Sequence, residues 1–125
     1  MTKPQPLRLY GMPGSLYTAK VRAYLRKQGI AFEEVPVGDT AFRERIVPVV
    51  GRFIMPVVEW PDGTIVQDGA AIIDHIEASG AVRRPSLPPT PVQAIVARIF
   101  ELFGGEGLLR PAMHYRWNFD AENLD

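Results

Sequence analysis

The sequence predicts an α/β fold whose first 80 residues run strand, helix, strand, helix, strand, strand, helix, with a partial all-α segment behind them. Three observations predict it. Short stretches of alternating apolar and polar residues each stop at glycine or proline, the mark of half-buried strands between tight loops. A Pro61-Asp62-Gly63 turn sits between two such stretches and reads as a hairpin. A proline-rich stretch then gives way to apolar residues at helical spacing.

In chain order, Leu7-Arg8-Leu9-Tyr10 alternates and enters the loop Gly11-Met12-Pro13-Gly14, a strand followed by a turn. Ser15 is a suitable N-cap for the helix that must follow; Val21, Tyr24 and Leu25 form its apolar face and Gly29 its stop. Lys20, Arg22, Arg26 and Lys27 fall on the outer face. Phe32, Val35 and Val37, with Glu33 and Glu34 between, give a second strand over residues 31–37. Residues 40–47 are expected to form a short helix and 48–55 an irregular stretch. The hairpin joins 56–60 to 64–67, after which Asp68 can cap a helix with Ala71, Ile72 and Ile76 inward and Ser79-Gly80 at its end.

Residues 81–91 hold four prolines and are expected to be an extended linker. From Val92 onward Ile95, Val96, Ile99, Leu102 and Phe103 fall on one helical stripe, which must be buried against something. Too few residues remain to close a helical domain. Either the chain is cut short here, or the stripe docks on the first domain or on another subunit. The expected divisions are therefore 1–80, 81–91 and 92–125.

Composition narrows the function. Apolar residues are 46% and charged residues 22% of the 125, ordinary for a folded chain. Lys plus Arg number 14 and so do Asp plus Glu, so the basic excess that neutralises phosphates is missing and neither nucleic acid nor a membrane surface is favoured as partner. There is no cysteine, which removes disulfides, thiolate zinc sites and cysteine nucleophiles together. Any thiol chemistry has to use a sulfur supplied by another molecule. No signal-like or membrane-length apolar run is visible, and a cytoplasmic location is expected. His75 and His114 have no companions at ligand spacing, so no metal is expected.

Three stretches carry a resemblance. Ser15-Leu16-Tyr17-Thr18-Ala19-Lys20-Val21-Arg22, Met55-Pro56-Val57-Val58 and Asp68-Gly69-Ala70-Ala71-Ile72-Ile73 occur in the order of three motifs of one domain. Together they resemble the thioredoxin-like N-terminal domain of the glutathione transferases, followed by the start of that family's helical domain. The resemblance implies a thioredoxin-like βαβαββα fold, glutathione as co-substrate, a small electrophile as second substrate, detoxification as role and a homodimer as assembly. It implies that Ser15 stabilises the glutathione thiolate, with Tyr10 and Tyr17 as competing hydroxyls. Pro56 would be cis, leaving the Met55 backbone to pair with the cysteinyl unit, and Asp68 would accept the γ-glutamyl ammonium. Gly69 stands where the family carries Ser or Thr, leaving only a main-chain N–H for the γ-glutamyl carboxylate. Ile54 stands where a Lys is usual, making Arg52 the nearest cation for the glycyl carboxylate. His114, Tyr115 and Trp117 would belong to the electrophile side. A non-catalytic thioredoxin-like module for binding or assembly is the alternative.

The chemistry assigned to Ser15 has a physical basis independent of any family. A thiol becomes a good nucleophile only as thiolate, and a hydroxyl donor at a helix N-terminus favours the charged form. Ser15 is also, simply, a good helix cap.

Overall fold

A computed structural model describes residues 5–80 and 82–123, and the chain divides into two compact units at Arg84/Pro85. Of the expected segments, residues 1–4, 81 and 124–125 lie outside the described residues.

The first unit is built on a four-stranded sheet in the order β2-β1-β3-β4, comprising β1 (Leu7–Gly11), β2 (Phe32–Pro36), β3 (Val57–Glu59) and β4 (Ile65–Gln67). β1 runs parallel to β2, with Leu7 opposite Phe32 and Gly11 opposite Pro36. It is antiparallel to β3, with Arg8 opposite Glu59 and Tyr10 opposite Val57, and β3 is antiparallel to β4. Because side chains alternate across a strand, β1 serves two cores. Leu7 and Leu9 join Val58 under α1 (Leu16–Gln28) and α3 (Gly69–Ala78), packing with Val21, Leu25, Ile72 and Ile76. Tyr10 joins Val57 on the other face, packing with Phe42 and Ile46.

Local chemistry accounts for the element ends. α1 opens on Ser15, whose Oγ accepts from the Thr18 N–H, and closes on Gly29 in the left-handed conformation, with Arg26 and Lys27 at the negative end of the helix dipole. In the hairpin, Gly63 at φ 87° takes the positive-φ position and Asp62 Oδ1 accepts from the Thr64 N–H at 2.9 Å. The element order matches the sequence expectation. The helix expected over 40–47 differs: Phe42–Ile46 forms a π-helical turn that runs directly into α2 (Val47–Val50), so part of the stretch expected to be irregular is helical. Pro48 does not prevent this, since a proline in the first helical turn gives up an N–H that has no helical partner there.

The linker expected from residue 81 begins later, where its prolines begin at Pro85. Gln28, almost fully buried, accepts with Oε1 from the Arg83 and Arg84 N–H groups at 3.1 Å each and donates Nε2 to the Arg84 carbonyl at 2.7 Å. Residues 83–84 are thereby tied to the end of α1.

The second unit consists of α4 (Pro91–Leu102), a π-helical turn at Phe103–Gly107, α5 (Leu109–Trp117) and α6 (Asp120–Asn123). Thr90 caps α4 by accepting from the Gln93 N–H, with Pro91 at its first position. The apolar stripe read from the sequence lies on α4 as far as Leu102, with Phe103 opening the π-helical turn, and none of the residues of α4 is buried. No helix among the described residues is long and apolar enough to cross a membrane.

Candidate functional site

The loop leaving β1 is drawn tight by two devices. Gly11 lies so close to α1 that a Cβ there would stand 2.2 Å from Thr18 Cγ2, a contact that only glycine avoids. Arg22 reaches back from α1, donating to the Met12 carbonyl at 3.3 Å while gripping Glu34 of β2 through two nitrogens at 2.7 and 2.5 Å. Such a bidentate, charge-assisted pair holds direction as well as distance, and it keeps the Glu34 carboxyl below its ordinary range. The Ser15 N–H donates to the Met12 carbonyl at 3.1 Å, closing the turn. Ser15 Oγ accepts from the Thr18 N–H at 3.2 Å. A hydroxyl used as acceptor keeps its own proton for another partner, so the half-buried Ser15 can cap α1 and donate a hydrogen bond at once. Thr18 beside it is fully buried, and its Oγ1 has no hydrogen-bond partner among the described residues.

A second segment contributes main chain. The Met55-Pro56 peptide bond is cis, and the Pro56 carbonyl accepts from the Asp68 N–H at 3.3 Å, joining the start of β3 to the start of α3. Asp68 has φ 83°, ψ 136°, a region that costs a non-glycine residue about 1–3 kcal/mol and is met most often at functional sites. Its Oδ1 accepts from the Ala70 and Ala71 N–H groups at 2.8 and 3.2 Å. Gly69, next in sequence, is buried against the start of α1: a Cβ there would lie 3.6 Å from Lys20 Cδ and 3.9 Å from the Tyr17 carbonyl oxygen. The N-terminal turns of α1 and α3 therefore meet, with the Met55-Pro56 segment attached through Asp68. Arg52 donates to Gln67 Oε1 at 3.4 Å, beside Asp68 in sequence.

The structure joins Pro56, Asp68 and Gly69 and sets Gly69 against the first turns of α1, the helix that Ser15 caps, while Tyr10 lies apart from them. Tyr10 is fully buried on the α2 side of the sheet, its ring 5.6 Å from that of Phe42 and its hydroxyl donating to Glu59 Oε2 at 2.8 Å. Burial, with the Glu59 carboxylate next to it, pushes its pKa up. Tyr17 sits in the first turn of α1 with its carbonyl beside Gly69. His114, Tyr115 and Trp117 lie on α5 of the second unit, where the His114 ring is 5.3 Å from those of Tyr115 and Phe119 and the Arg116 guanidinium lies 4.9 Å from the Trp117 ring centre. No cluster of three or more potential metal ligands occurs among the described residues.

Sequence reading missed Lys20, placed by the α1 period alone on an outer face but found against the α3 N-terminus. It also missed Glu59, 6% exposed, which a strand pattern gives no reason to single out.

Three comparisons bear on this arrangement. A family model described as the N-terminal domain of glutathione S-transferase matches residues 9–83. Among solved structures, a glutathione S-transferase from Methylobacterium radiotolerans in complex with glutathione sulfonate is 29% identical, with TM-score 0.64 over 78% of this chain and 46% of its own. One from Rhodospirillum rubrum is 22% identical, with TM-score 0.73 over 89% and 51%. A glutathione transferase homologue from Sulfitobacter with bound glutathione is 21% identical, with TM-score 0.67 over 90% and 56%. The last two show the fold, an α/β domain of the thioredoxin-like kind with a helical segment C-terminal to it. The chain spans about half the length of these structures. No curated protein matches it.

Proposed function

The chain belongs to the glutathione S-transferase family, and from that premise we propose that its first unit binds glutathione and stabilises the glutathione thiolate for attack on an electrophilic small molecule. The observation that carries this reading is the meeting of two helix N-termini at Gly69, with the Met55-Pro56 backbone held beside them through Asp68. Helix N-termini favour anions, and glutathione presents a thiolate and two carboxylates. Ser15 directs its hydroxyl proton at the sulfur, which lowers the thiol pKa and raises the fraction of nucleophile at neutral pH. The thiolate then forms a bond to the electrophilic carbon, and the leaving group or the π electrons of the electrophile take the displaced pair. Met55 pairs its main chain with the cysteinyl unit as a short added strand. Asp68 offers its second carboxylate oxygen to the γ-glutamyl ammonium, and Gly69 its N–H to the adjacent carboxylate. Arg52 is the cation for the glycyl end. Tyr10, committed to Glu59 in the core, is a poorer thiolate partner than Ser15.

Detoxification of electrophiles is the role that follows, with His114, Tyr115 and Trp117 on the electrophile side and a homodimer in the cytoplasm as the assembly and location. The unburied apolar residues of α4 support an association of this kind. The divisions 1–80, 81–91 and 92–125 are proposed as functional segments, the first carrying glutathione. Gly69 and Ile54, which withhold a hydroxyl and an ammonium from the ligand, favour the second reading, a binding module without turnover.

Titration calorimetry with glutathione tests the reading. Asp68→Asn keeps an N-cap acceptor but removes the charge and is expected to weaken binding about tenfold, the loss of one charge-assisted hydrogen bond. Ser15→Ala is expected to leave affinity nearly unchanged below the thiol pKa while raising the pKa of the bound thiol, read from thiolate absorbance against pH. Glutathione binding indifferent to Asp68→Asn would sink the groove assignment. A bound-thiol pKa unmoved by Ser15→Ala would remove Ser15 from the mechanism.

A further inference from the structure

At the opposite end of β1 from Ser15, the sheet carries a second concentration of charge. Glu59 is buried and is served by three groups: Tyr10 donates its hydroxyl to Oε2 at 2.8 Å, Arg45 is paired with Oε1, and Arg8 Nη1 lies 3.9 Å from Oε2. Arg8 also faces Glu33 at 3.7 Å, on the solvent side, where both side chains are well exposed and the attraction is screened. Arg8, Arg45 and Glu59 line a cavity of about 320 Å³ with Gln5, Pro6 and Pro61, a volume at the lower end of small-molecule sites. From Arg8 to Gly11 the strand rises about 10 Å at ~3.3 Å per residue, so this cavity is separate from the Ser15 region.

Each guanidinium carries five N–H donors. Arg45 spends one terminal nitrogen on Glu59, and Arg8 is only loosely engaged by it. In the lining itself two arginines face one carboxylate, whose charge the Tyr10 hydroxyl further quiets, while the second carboxylate near Arg8, Glu33, stands on the solvent side. We propose that this cavity is a second ligand site, taking a compact organic monocarboxylate whose carboxylate sits between Arg8 and Arg45 and whose carbon body packs on Pro6 and Pro61. Glu59, anchored by Tyr10, holds the Arg45 guanidinium through Oε1 and draws Arg8 toward the same cavity before a ligand arrives. This inference is independent of the glutathione reading.

Benzoate is the probe. Titrated into the chain and followed through the Gly63 and Trp60 amide resonances, it is expected to cause saturable shifts in the millimolar range. Benzamide and benzylammonium, of the same shape without the negative charge, are expected to bind at least about tenfold more weakly, as is sulfate, which has charge but no carbon body. Arg8→Gln should cost about tenfold, and Arg45→Lys, which keeps the charge that Glu59 requires but loses the planar fork, several-fold. Saturating glutathione should leave the benzoate affinity unchanged. Absence of saturable shifts at Gly63 and Trp60 in the folded chain would overturn the proposal. So would benzamide or sulfate binding as well as benzoate, or benzoate affinity indifferent to both variants.

Discussion

At the Gly11 end of the sheet main-chain N–H groups are gathered at two helix starts, each with its capping side chain; at the Arg8 end the polar groups are side-chain charges arranged around one buried carboxylate. The two solutions differ in what holds them. A site made of backbone is positioned by close approach, and its weak points are residues that must be small. A site made of side chains is positioned by ion pairing, and its weak points are the partners of Glu59. Removing one partner of a buried charge is costly because the other is left unpaired, whereas crowding a backbone site moves whole elements. The Gly11 end should therefore be the more brittle toward added atoms and the Arg8 end toward lost ones.

The largest effect is expected at Gly11. A Cβ placed there stands 2.2 Å from Thr18 Cγ2 and 2.6 Å from its Oγ1, and Thr18 is fully buried. Gly11→Ala should destabilise the chain by about 3 kcal/mol, read as a lowered urea midpoint, and Thr18→Ala should recover part of that loss when combined with it. A Gly11→Ala chain as stable as the parent would show that the β1 to α1 approach yields easily, and the contrast between the two ends would lose its basis.

Arg22 comes next, because it braces the backbone-built end from α1 to both the β1 loop and β2. Replacing it with Gln ends the paired hydrogen bonds to Glu34 and the contact to the Met12 carbonyl. The expected cost is about 2 kcal/mol, and the effect has a signature in pH. Ion pairing holds Glu34 below its ordinary value of 4.5, so its contribution is complete above that value and is lost as pH falls through the lower, folded-state value. Urea midpoints measured from neutral to acid pH should fall over that window in the parent and fall less in Arg22→Gln. Parallel curves would mean that the pair contributes nothing to stability.

The same division explains what the sequence could disclose. Backbone-built features leave marks in it, because caps, turns and close approaches demand particular residues: Ser15, Gly29, Asp62-Gly63 and Asp68 each announce the geometry they adopt. Hence the order of strands and helices was legible, and Ser15 and Asp68 were legible as local devices, whereas the cis Pro56 was legible only through the resemblance. Their convergence was not, since it depends on α1 and α3 packing side by side, a relation that placed Lys20 against α3 instead of on a free face. Side-chain-built features leave weaker marks. A glutamate in an alternating strand reads as solvent-facing, so Glu59 is invisible until α2 and its preceding turn are known to cover that side of the sheet. Gln28 is hidden for the same reason, its partners lying 55 and 56 positions away. The helix through Pro48 escaped because a proline that starts a helix and one that prevents it look alike in sequence.

The smallest change is the sharpest test of the backbone-built end, because it adds a side chain where the site has managed without one. Gly69 has no hydroxyl to offer, yet a Cβ there would meet its neighbours at 3.6 to 3.9 Å, ordinary contact distances, and its φ is not in the left-handed region. Serine should therefore fit, with a slight gain in helix propensity over glycine and little shift in the unfolding midpoint. Its Oγ would stand beside the Gly69 N–H at the first turn of α3, able to donate to a carboxylate bound at that helix start. A hydrogen bond to a charged group is worth about 1.5 kcal/mol, so Gly69→Ser should tighten glutathione binding by about tenfold in a calorimetric titration. Unchanged affinity in a chain of unchanged stability would mean that the γ-glutamyl carboxylate does not rest at the start of α3. Weaker binding would mean that the helix start was open to the ligand because residue 69 is glycine.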